Sequence, residues 1–429
     1  MNAPVVGFAG MTHLGLISSS AVAARGFEVV CFDSDAALIE RLRRQEWPIL
    51  EPGFAELVRG NGKQQRFTSA ATELAGCDVV YVAPDVPTDD QGRGDIAGLT
   101  RLIGDVVSAM NSTAVMVVLS QVPPGFTRAL RVLPPQRLYY QVETLVFGIA
   151  VERATKPERY IVGCADPLAP IEPRFAAVLG AFGCPILPMR YESAELAKIS
   201  INFCLTASVS VANTLAGLCE RIGADWSEIA PALKLDRRIG LYAYLSPGLG
   251  LSGGNLERDL ATVQRLAAAA GSEAGIVNAW LRNSTHCRNW PLRQIYERVL
   301  SRQDCPTIGI LGVTYKENTH SIKNSPAVAL IRELTSCTLR VFDPAVTASA
   351  NWHSRMTVAE DPLAACDGID ALVIATPWPQ FRALKPAELT RRMHGRVVID
   401  PYSILERSAA RAAGLEHIVL GAPQPVGAT

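Results

Sequence analysis

Short apolar runs that alternate with helical stretches are the feature that most limits how this chain can fold. Four such runs lie in the first third of the sequence: Val5–Ala9, Glu28–Phe32, Val79–Ala83 and Val115–Leu119. Four more lie near the end: Ile308–Leu311, Leu339–Phe342, Ala371–Ala375 and Val397–Asp400. Apolar strands separated by helices are typical of parallel βαβ sheets covered on both faces. The sequence therefore predicts an α/β fold with one doubly wound domain at each end.

The segment between these two sets has a different character. From Glu192 to Gly223 it contains no proline and is mostly apolar, which predicts one long helix. Further helices are predicted at Trp226–Leu233 and Leu256–Ala270. A helix that is apolar all round is buried in a core or in a subunit contact. Because 429 residues exceed one ordinary core, we expect three domains, at residues 1–190, 191–300 and 301–429, with the middle one forming a homodimer contact.

Composition limits the class of partner. The 41 basic and 41 acidic residues balance, so no overall charge favours nucleic acid or a membrane surface. The ten cysteines are scattered singly and six histidines are dispersed, a pattern that favours a reducing cytoplasm and predicts no metal site. No segment has the roughly 20 uninterrupted apolar residues of a membrane span, and the N-terminus has no signal-like pattern.

A glycine-rich turn follows the first predicted strand. Gly10 and Gly15 occupy the first and third glycine positions of the Gly-x-Gly-x-x-Gly dinucleotide fingerprint, and Thr12 occupies the middle one. Asp33 ends the second predicted strand, where a carboxylate would accept a hydrogen bond from a ribose 2′-hydroxyl and repel a 2′-phosphate. These residues predict a Rossmann-like domain that binds NAD in preference to NADP.

Six further stretches carry a family resemblance. In sequence order they are Trp47–Gly53, Val86–Asp90 with Asp95, Val122–Arg128, Ala194–Lys198 with Asn202, Asp236–Gly240, and Gly312–Lys316 with residues 323–326. Together they resemble the UDP-glucose/GDP-mannose dehydrogenase family over residues 5 to 402. The resemblance implies two Rossmann-like domains joined by a long central helix and a helical dimerisation domain. It also implies that the C-terminal domain binds a nucleotide sugar, with UDP-hexose the commonest case in the family.

The resemblance assigns roles to individual residues. The cofactor-binding positions are Gly10, Thr12, Gly15, Asp33, Pro87, Thr88, Gln121, Lys316 and Lys323. The substrate-binding positions are Glu143, Lys198, Asn202, Arg238, Tyr244, Gly250 and Lys316, with Arg238 reaching the substrate of a neighbouring subunit. Lys198 and Asn202 are four residues apart on one helix, so their side chains can converge on one substrate oxygen. Asp259, or a water that it holds, would take the proton.

The family oxidises a primary alcohol to a carboxylate through a cysteine thioester, and here this sequence departs from the pattern. Aligned without gaps, Asn255 stands at the cysteine position, Arg258 replaces a lysine, and Asp259 is retained. A carboxamide is not a nucleophile, so no thioester can form at Asn255. Asn beside glycines also suits a left-handed turn, which gives Asn255 an alternative, purely structural interpretation.

Three other substitutions accompany Asn255. One acid of the family survives as Glu143, whereas the second position holds Phe147; Gln121 replaces a threonine, and Lys323 replaces an arginine. Three functions therefore stay open: a dehydrogenase that halts at the aldehyde or oxidises its hydrate, a non-catalytic nucleotide-sugar-binding protein, and a 3-hydroxyacid-type dehydrogenase. The retained Glu143, Lys198, Asn202 and Asp259 favour the first.

Overall fold

The computed structural model describes residues 3–87 and 94–423. The chain divides into two compact units, Met1–Ile201 and Asn202–Thr429. The division into three domains at residues 190 and 300 stays a prediction.

The described part of the first unit contains one sheet. Its strands are β1 Val6–Ala9, β2 Val29–Phe32, β3 Gln65–Thr68, β4 Val79–Val82, β5 Val115–Val118, β6 Leu138–Gln141, β7 Tyr160–Cys164 and β8 Ile186–Arg190. Their order is β3-β2-β1-β4-β5-β6-β7-β8, and the pairs are parallel except for the antiparallel pair β6 and β7. The first six strands have the doubly wound dinucleotide-binding order, in which the strand order reverses between the parallel neighbours β1 and β4.

Helices cover both faces of this sheet. They are α1 His13–Ala23, α2 Ala36–Arg43, α3 Phe54–Gly60, α4 Ile96–Ala109, α5 Phe126–Ala129, α6 Ala150–Thr155 and α7 Pro173–Gly180, with short 3₁₀ turns at Ala71–Gly76 and Pro135–Arg137. Phe8, Ile17 and Phe175 belong to the core on one face. Ile103 and Tyr140 belong to the core on the other. Strands buried on both faces need continuous apolar runs, which is why β1, β2, β4 and β5 could be predicted.

Helix α8, Tyr191–Ile222, begins in the first unit and continues into the second. Gly223, with φ of 79°, ends it in the left-handed conformation that glycine adopts without strain. The helix is long and apolar enough to span a membrane by length and composition, a test that a core helix of a soluble protein also passes.

The second unit contains a second sheet among its described residues. Its strands are β9 Thr307–Leu311, β10 Thr338–Phe342, β11 Met356–Val358, β12 Ala371–Ile374, β13 Val397–Ile399 and β14 Glu416–Ile418. They are all parallel, in the order β11-β10-β9-β12-β13-β14. This order repeats that of the first six strands of the first unit.

Helices precede and cover this second sheet. They are α9 Trp226–Leu235, α10 Asn255–Ala270, α11 Gly275–Arg288, α12 Trp290–Ile295, α13 Pro326–Glu333, α14 Pro386–Arg392 and α15 Arg407–Ala412. A π-helical turn spans Tyr296–Leu300, and 3₁₀ turns lie at Ala350–Trp352, Ala364–Cys366 and Pro379–Ala383. The predicted fold class, two doubly wound sheets with a long central helix, is confirmed.

Candidate active site

The turn between β1 and α1 has the geometry of a dinucleotide cradle. Gly10 has φ of 97°, and a Cβ on it would lie 2.8 Å from the backbone nitrogen of Pro84. A Cβ on Gly15 would lie 1.8 Å from the Gly10 carbonyl oxygen, so only glycine permits this approach of helix to strand. Thr12 precedes α1 and its hydroxyl oxygen accepts a hydrogen bond from the Asp85 backbone N–H at 2.7 Å. That hydroxyl can still donate its own hydrogen to a phosphate.

Asp33 lies where the sequence placed it, directly after β2. Its carboxylate accepts hydrogen bonds from the backbone N–H groups of Met11, at 2.7 Å, and Asp35, at 3.0 Å. The first bond ties the carboxylate to the glycine-rich turn. A carboxylate has about four acceptor positions, so Asp33 retains capacity for a ribose hydroxyl, and these residues fit NAD.

The loops after β4 and β5 contain the other cofactor candidates of this unit. Pro87 is exposed and Gln121 is partly buried, whereas Thr88 lies outside the described residues. The Pro-Gly turn after β5 is held by Glu195 of α8, which accepts hydrogen bonds from Gly125 N at 2.6 Å and Thr127 N at 2.8 Å. Burial raises the pKa of Glu195 above its ordinary value despite these bonds. Glu195 lies in the Ala194–Lys198 motif, but its contact with this turn was not predicted from the sequence.

Lys198 and Glu143 form an ion pair in the first unit. Their side chains are 10% and 16% exposed, so Lys198 is not a solvated surface lysine. Glu143 also accepts a hydrogen bond from the Leu145 backbone N–H at 2.9 Å. The structure thus brings together two residues that are 55 positions apart and that the sequence assigned to one reaction.

Asn202 and Asp259 form the corresponding pair in the second unit. The Asn202 side-chain amide donates to Asp259 Oδ2 at 2.6 Å, and Arg258 Nε lies 3.3 Å from Oδ1 of the same carboxylate. Asp259 is 1% exposed. The amide and the guanidinium compensate for the cost of burying its charge.

Asn255 is the first residue of α10, so the structural interpretation of Asn255 as a left-handed turn residue is wrong. The glycines take the left-handed positions instead, with φ of 80° at Gly250 and 77° at Gly253. Gly254 caps the helix without a side-chain hydrogen bond. Once these glycines have turned the chain, Asn255 adopts ordinary helical geometry.

The remaining substrate candidates surround or follow this loop. The Gly253 N–H donates to the Lys323 carbonyl oxygen at 3.0 Å, and a Cβ on Gly254 would lie 3.1 Å from Lys323 Cδ. Lys316 Nζ is 5.8 Å from the ring centre of Tyr315, and Tyr315 lies against Gly253. The structure therefore brings Lys323 to the Asn255 loop.

Three other predicted residues have simpler surroundings. A Cβ on Gly250 would lie 2.4 Å from the Ser284 carbonyl oxygen, which requires glycine there. Tyr244 is exposed. Arg238 is 89% exposed and pairs with Asp236 of its own turn at 2.6 Å.

A buried pair that the sequence motifs did not reveal involves His13, the first residue of α1. His13 Nε2 lies 3.0 Å from Glu51 Oε2, and the His13 ring packs on Phe147 with centroids 4.3 Å apart. Glu51 also accepts hydrogen bonds from Gly148 N and Ala150 N. Although burial raises it, these hydrogen bonds bring the pKa of Glu51 below its ordinary value. Phe147, which replaces the second acid, thus packs against the first residue of α1.

The thiols lie elsewhere. Cys219 and Cys287 are buried, and burial raises the pKa of Cys287 to about 11. Cys204 and Cys305 are exposed. Among the described residues, no group of three or more His, Cys, Asp or Glu side chains is arranged to hold a metal ion.

Comparison with known proteins identifies the family of this chain. It matches the UDP-glucose/GDP-mannose dehydrogenase family in its NAD-binding domain over residues 4–170, its central domain over residues 192–284 and its UDP-binding domain over residues 309–407. The chain belongs to this family. The N-terminal domain is therefore its NAD-binding domain, and the cofactor is NAD.

Relatives match along nearly the whole length. UDP-glucose 6-dehydrogenase TuaD of Bacillus subtilis is 28% identical, over 96% of this chain and 92% of its own. UDP-glucose 6-dehydrogenase of Pseudomonas aeruginosa is 27% identical, over 97% of this chain and 96% of its own.

A solved UDP-glucose dehydrogenase from Pyrobaculum islandicum superposes with a TM-score of 0.85 at 28% identity, covering 99% of this chain and 98% of its own. These matches support NAD-dependent UDP-sugar dehydrogenase activity.

Proposed function

We propose that this chain oxidises the C6 hydroxyl of a UDP-hexose with NAD as hydride acceptor, and that no thioester forms during the reaction. The observation that carries the proposal is the buried Asn202–Asp259 hydrogen bond in the unit where α10 begins with Asn255. The acid–base residue keeps its partner, whereas the nucleophile position holds an amide.

In the first oxidation, NAD held by the glycine-rich turn and Asp33 would supply the hydride acceptor for C6. Asp259 takes the hydroxyl proton, directly or through a water. Lys198 stabilises the developing alkoxide, and Glu143 holds the ammonium in place through their ion pair. Asn202 donates one amide hydrogen to Asp259 and has a second for the substrate oxygen.

The second oxidation requires a tetrahedral carbon that carries a hydrogen. Without a thiol, water provides it by adding to the aldehyde to give the geminal diol. Once Asp259 has passed its first proton to solvent, loss of one proton to it and of the carbon-bound hydrogen as hydride, for which a second NAD would be the acceptor, gives the carboxylic acid. This route lacks a tethered intermediate, so we expect it to be slower than the first step or to end in aldehyde release.

Counting NADH per sugar tests this proposal. The enzyme is mixed with NAD and a panel of nucleotide sugars, and the products are identified by mass spectrometry. We expect one rapid NADH per UDP-hexose and an aldehyde, its hydrate, or slowly formed acid.

Two variants sharpen the test. Asn255→Cys puts a thiol at the family position and should accelerate the second step, whereas Asn255→Ala, its matched control, should not. Two NADH released at equal rates by the wild type would refute the proposed thiol-free chemistry. Tight binding of UDP-sugars with no NADH would instead favour the non-catalytic function. The UDP-binding domain at residues 309–407 argues against a 3-hydroxyacid substrate.

We also propose a cytoplasmic homodimer built on α8. Val211, Leu215, Leu218 and Ile222 are exposed by 52%, 37%, 50% and 65% and recur at helical spacing, forming an apolar stripe. Leu218→Glu should give a monomer by light scattering, whereas Leu168→Glu, at a leucine that is 94% exposed in the first unit, should leave the dimer intact. A monomeric wild type at micromolar concentration would exclude this assembly.

A further inference from the structure

The side chain of Asp85 accepts a hydrogen bond from a backbone N–H group at the N-terminus of α1. Its Oδ2 accepts a hydrogen bond from the Leu14 backbone N–H at 3.1 Å. Leu14 is the second residue of α1, which begins at His13. The first-turn N–H groups of a helix lack intrahelical partners, so an acceptor placed there is stabilised.

Asp85 is held in this position by its own loop. The Thr12 hydroxyl oxygen accepts the Asp85 backbone N–H at 2.7 Å. The buried Ser120 hydroxyl donates to the Pro84 carbonyl oxygen at 2.6 Å. Gly10 leaves no room for a Cβ against Pro84, so the loop packs directly on the glycine-rich turn. Three contacts therefore fix the backbone from which the carboxylate reaches α1.

The same N–H groups are those that bind a dinucleotide pyrophosphate in this fold. The Asp85 carboxylate uses one of them and adds a negative charge where two phosphate charges must bind. Like charges at such short range repel, although solvent reduces the effect. Thr12, by contrast, keeps a hydroxyl hydrogen for a phosphate, so the turn has both an attractive and a repulsive element.

We propose that Asp85 sets the affinity for the cofactor by competing with its pyrophosphate for the α1 N-terminus. NAD binds when the carboxylate releases Leu14 N–H and turns aside. This inference rests on NAD binding by the first unit and is independent of the thiol-free chemistry proposed for Asn255.

Titration calorimetry on the full-length protein tests it with ADP and adenosine as probes, alongside NAD. Asp85→Asn removes the charge and keeps an oxygen that can accept from Leu14 N–H. Asp85→Ala also leaves that donor to the ligand. We expect ADP and NAD to bind about tenfold more tightly to Asp85→Asn and at least as tightly to Asp85→Ala. Adenosine, which has no phosphate, should bind all three proteins equally.

A matched control removes a carboxylate charge from another helix start in the same unit. Glu172 accepts from Arg174 N and Phe175 N at the start of α7, and Glu172→Gln should leave ADP and NAD affinities unchanged. The gain in Asp85→Asn should also shrink at high salt, because ions screen the repulsion. Unchanged ADP affinity in both Asp85 variants at unchanged melting temperature, or an equal gain for adenosine, would overturn the proposal. Neither readout requires turnover, so failure here leaves the proposed oxidation standing.

Discussion

The corner between β1 and β2 in the first unit can be compared atom by atom with the corner between β9 and β10 in the second. Each begins with a left-handed glycine, Gly10 with φ of 97° and Gly312 with φ of 90°. In each, the backbone N–H of the residue after the glycine donates a hydrogen bond at 2.7 Å to an aspartate Oδ2 at the end of the neighbouring strand. The pairs are Met11 with Asp33 and Val313 with Asp343. The two units therefore build this corner in the same way.

The two carboxylates differ in what else they bind. Asp33 accepts one further hydrogen bond, from Asp35 N, among the described residues. Asp343 accepts from the Thr314 N–H and hydroxyl and from Trp378 Nε1 on Oδ2, and from two following backbone N–H groups on Oδ1. A carboxylate has about four acceptor positions, so Asp343 is saturated by its own domain. One corner can recognise a ribose, whereas the other holds its turn together.

The largest effect should come from Asp343→Ala. We expect the free energy of unfolding to fall by about 3 kcal/mol, because buried donors lose their acceptor. Urea denaturation measures this loss, and NAD affinity should stay the same. Asp367→Ala, which breaks only a surface ion pair with Arg392, is the control and should cost under about 1 kcal/mol. If Asp343→Ala is as stable as this control, Asp343 does not have the structural role that distinguishes it here from Asp33.

A smaller effect, on NAD binding rather than on stability, is expected for Asp33→Ala. NAD binding should weaken by about 1–2 kcal/mol, the scale of a hydrogen bond to a charged group. Discrimination against NADP should fall, because the repulsive carboxylate is gone. Asp35→Ala, a neighbouring helix cap, should leave the NAD affinity intact. Wild-type protein that binds NADP as tightly as NAD in calorimetry would show that Asp33 does not select the cofactor.

The smallest effect is expected for Trp378→Phe. This change removes one donor to Asp343, the indole N–H at 3.2 Å, and keeps most of the ring volume. We predict a loss of about 1 kcal/mol in the free energy of unfolding. A double-mutant cycle with Asp343→Ala measures the coupling between the two residues, and additive losses would contradict it.

Although the interior strands β6 and β7 were missed, the sequence predicted eight strands to within about one residue: β1, β2, β4 and β5 in the first sheet and β9, β10, β12 and β13 in the second. Their apolar runs are continuous because both faces are buried. Edge strands such as Gln65–Thr68 and Glu416–Ile418 were missed, since polar residues interrupt them. The start of α10 was also displaced by one residue, because the glycines of the loop, rather than Asn255, absorb the turn.

The site was harder to predict than the fold. Pattern spacing located Asp33, Lys198 and Asp259, but the ion pair that buries Lys198 joins residues on separate elements. Asp343 follows Gly312 by 31 residues, whereas Asp33 follows Gly10 by 23, so the repeated corner is hidden in the sequence. Asp85 and Glu51 act through contacts that only the folded loops create.

The arrangement of thiols has a consequence for how the enzyme is assayed. Cys204 on α8 and Cys305 before β9 are exposed, whereas burial raises the pKa of Cys77 and Cys366 to about 12. Iodoacetamide reacts with thiolates that it can reach, so it will label these two surface positions first. Lost activity after such treatment would report on the surface of α8 or the approach to β9. The usual diagnostic for a catalytic cysteine thus becomes, in this chain, a probe of the two exposed thiols, Cys204 and Cys305.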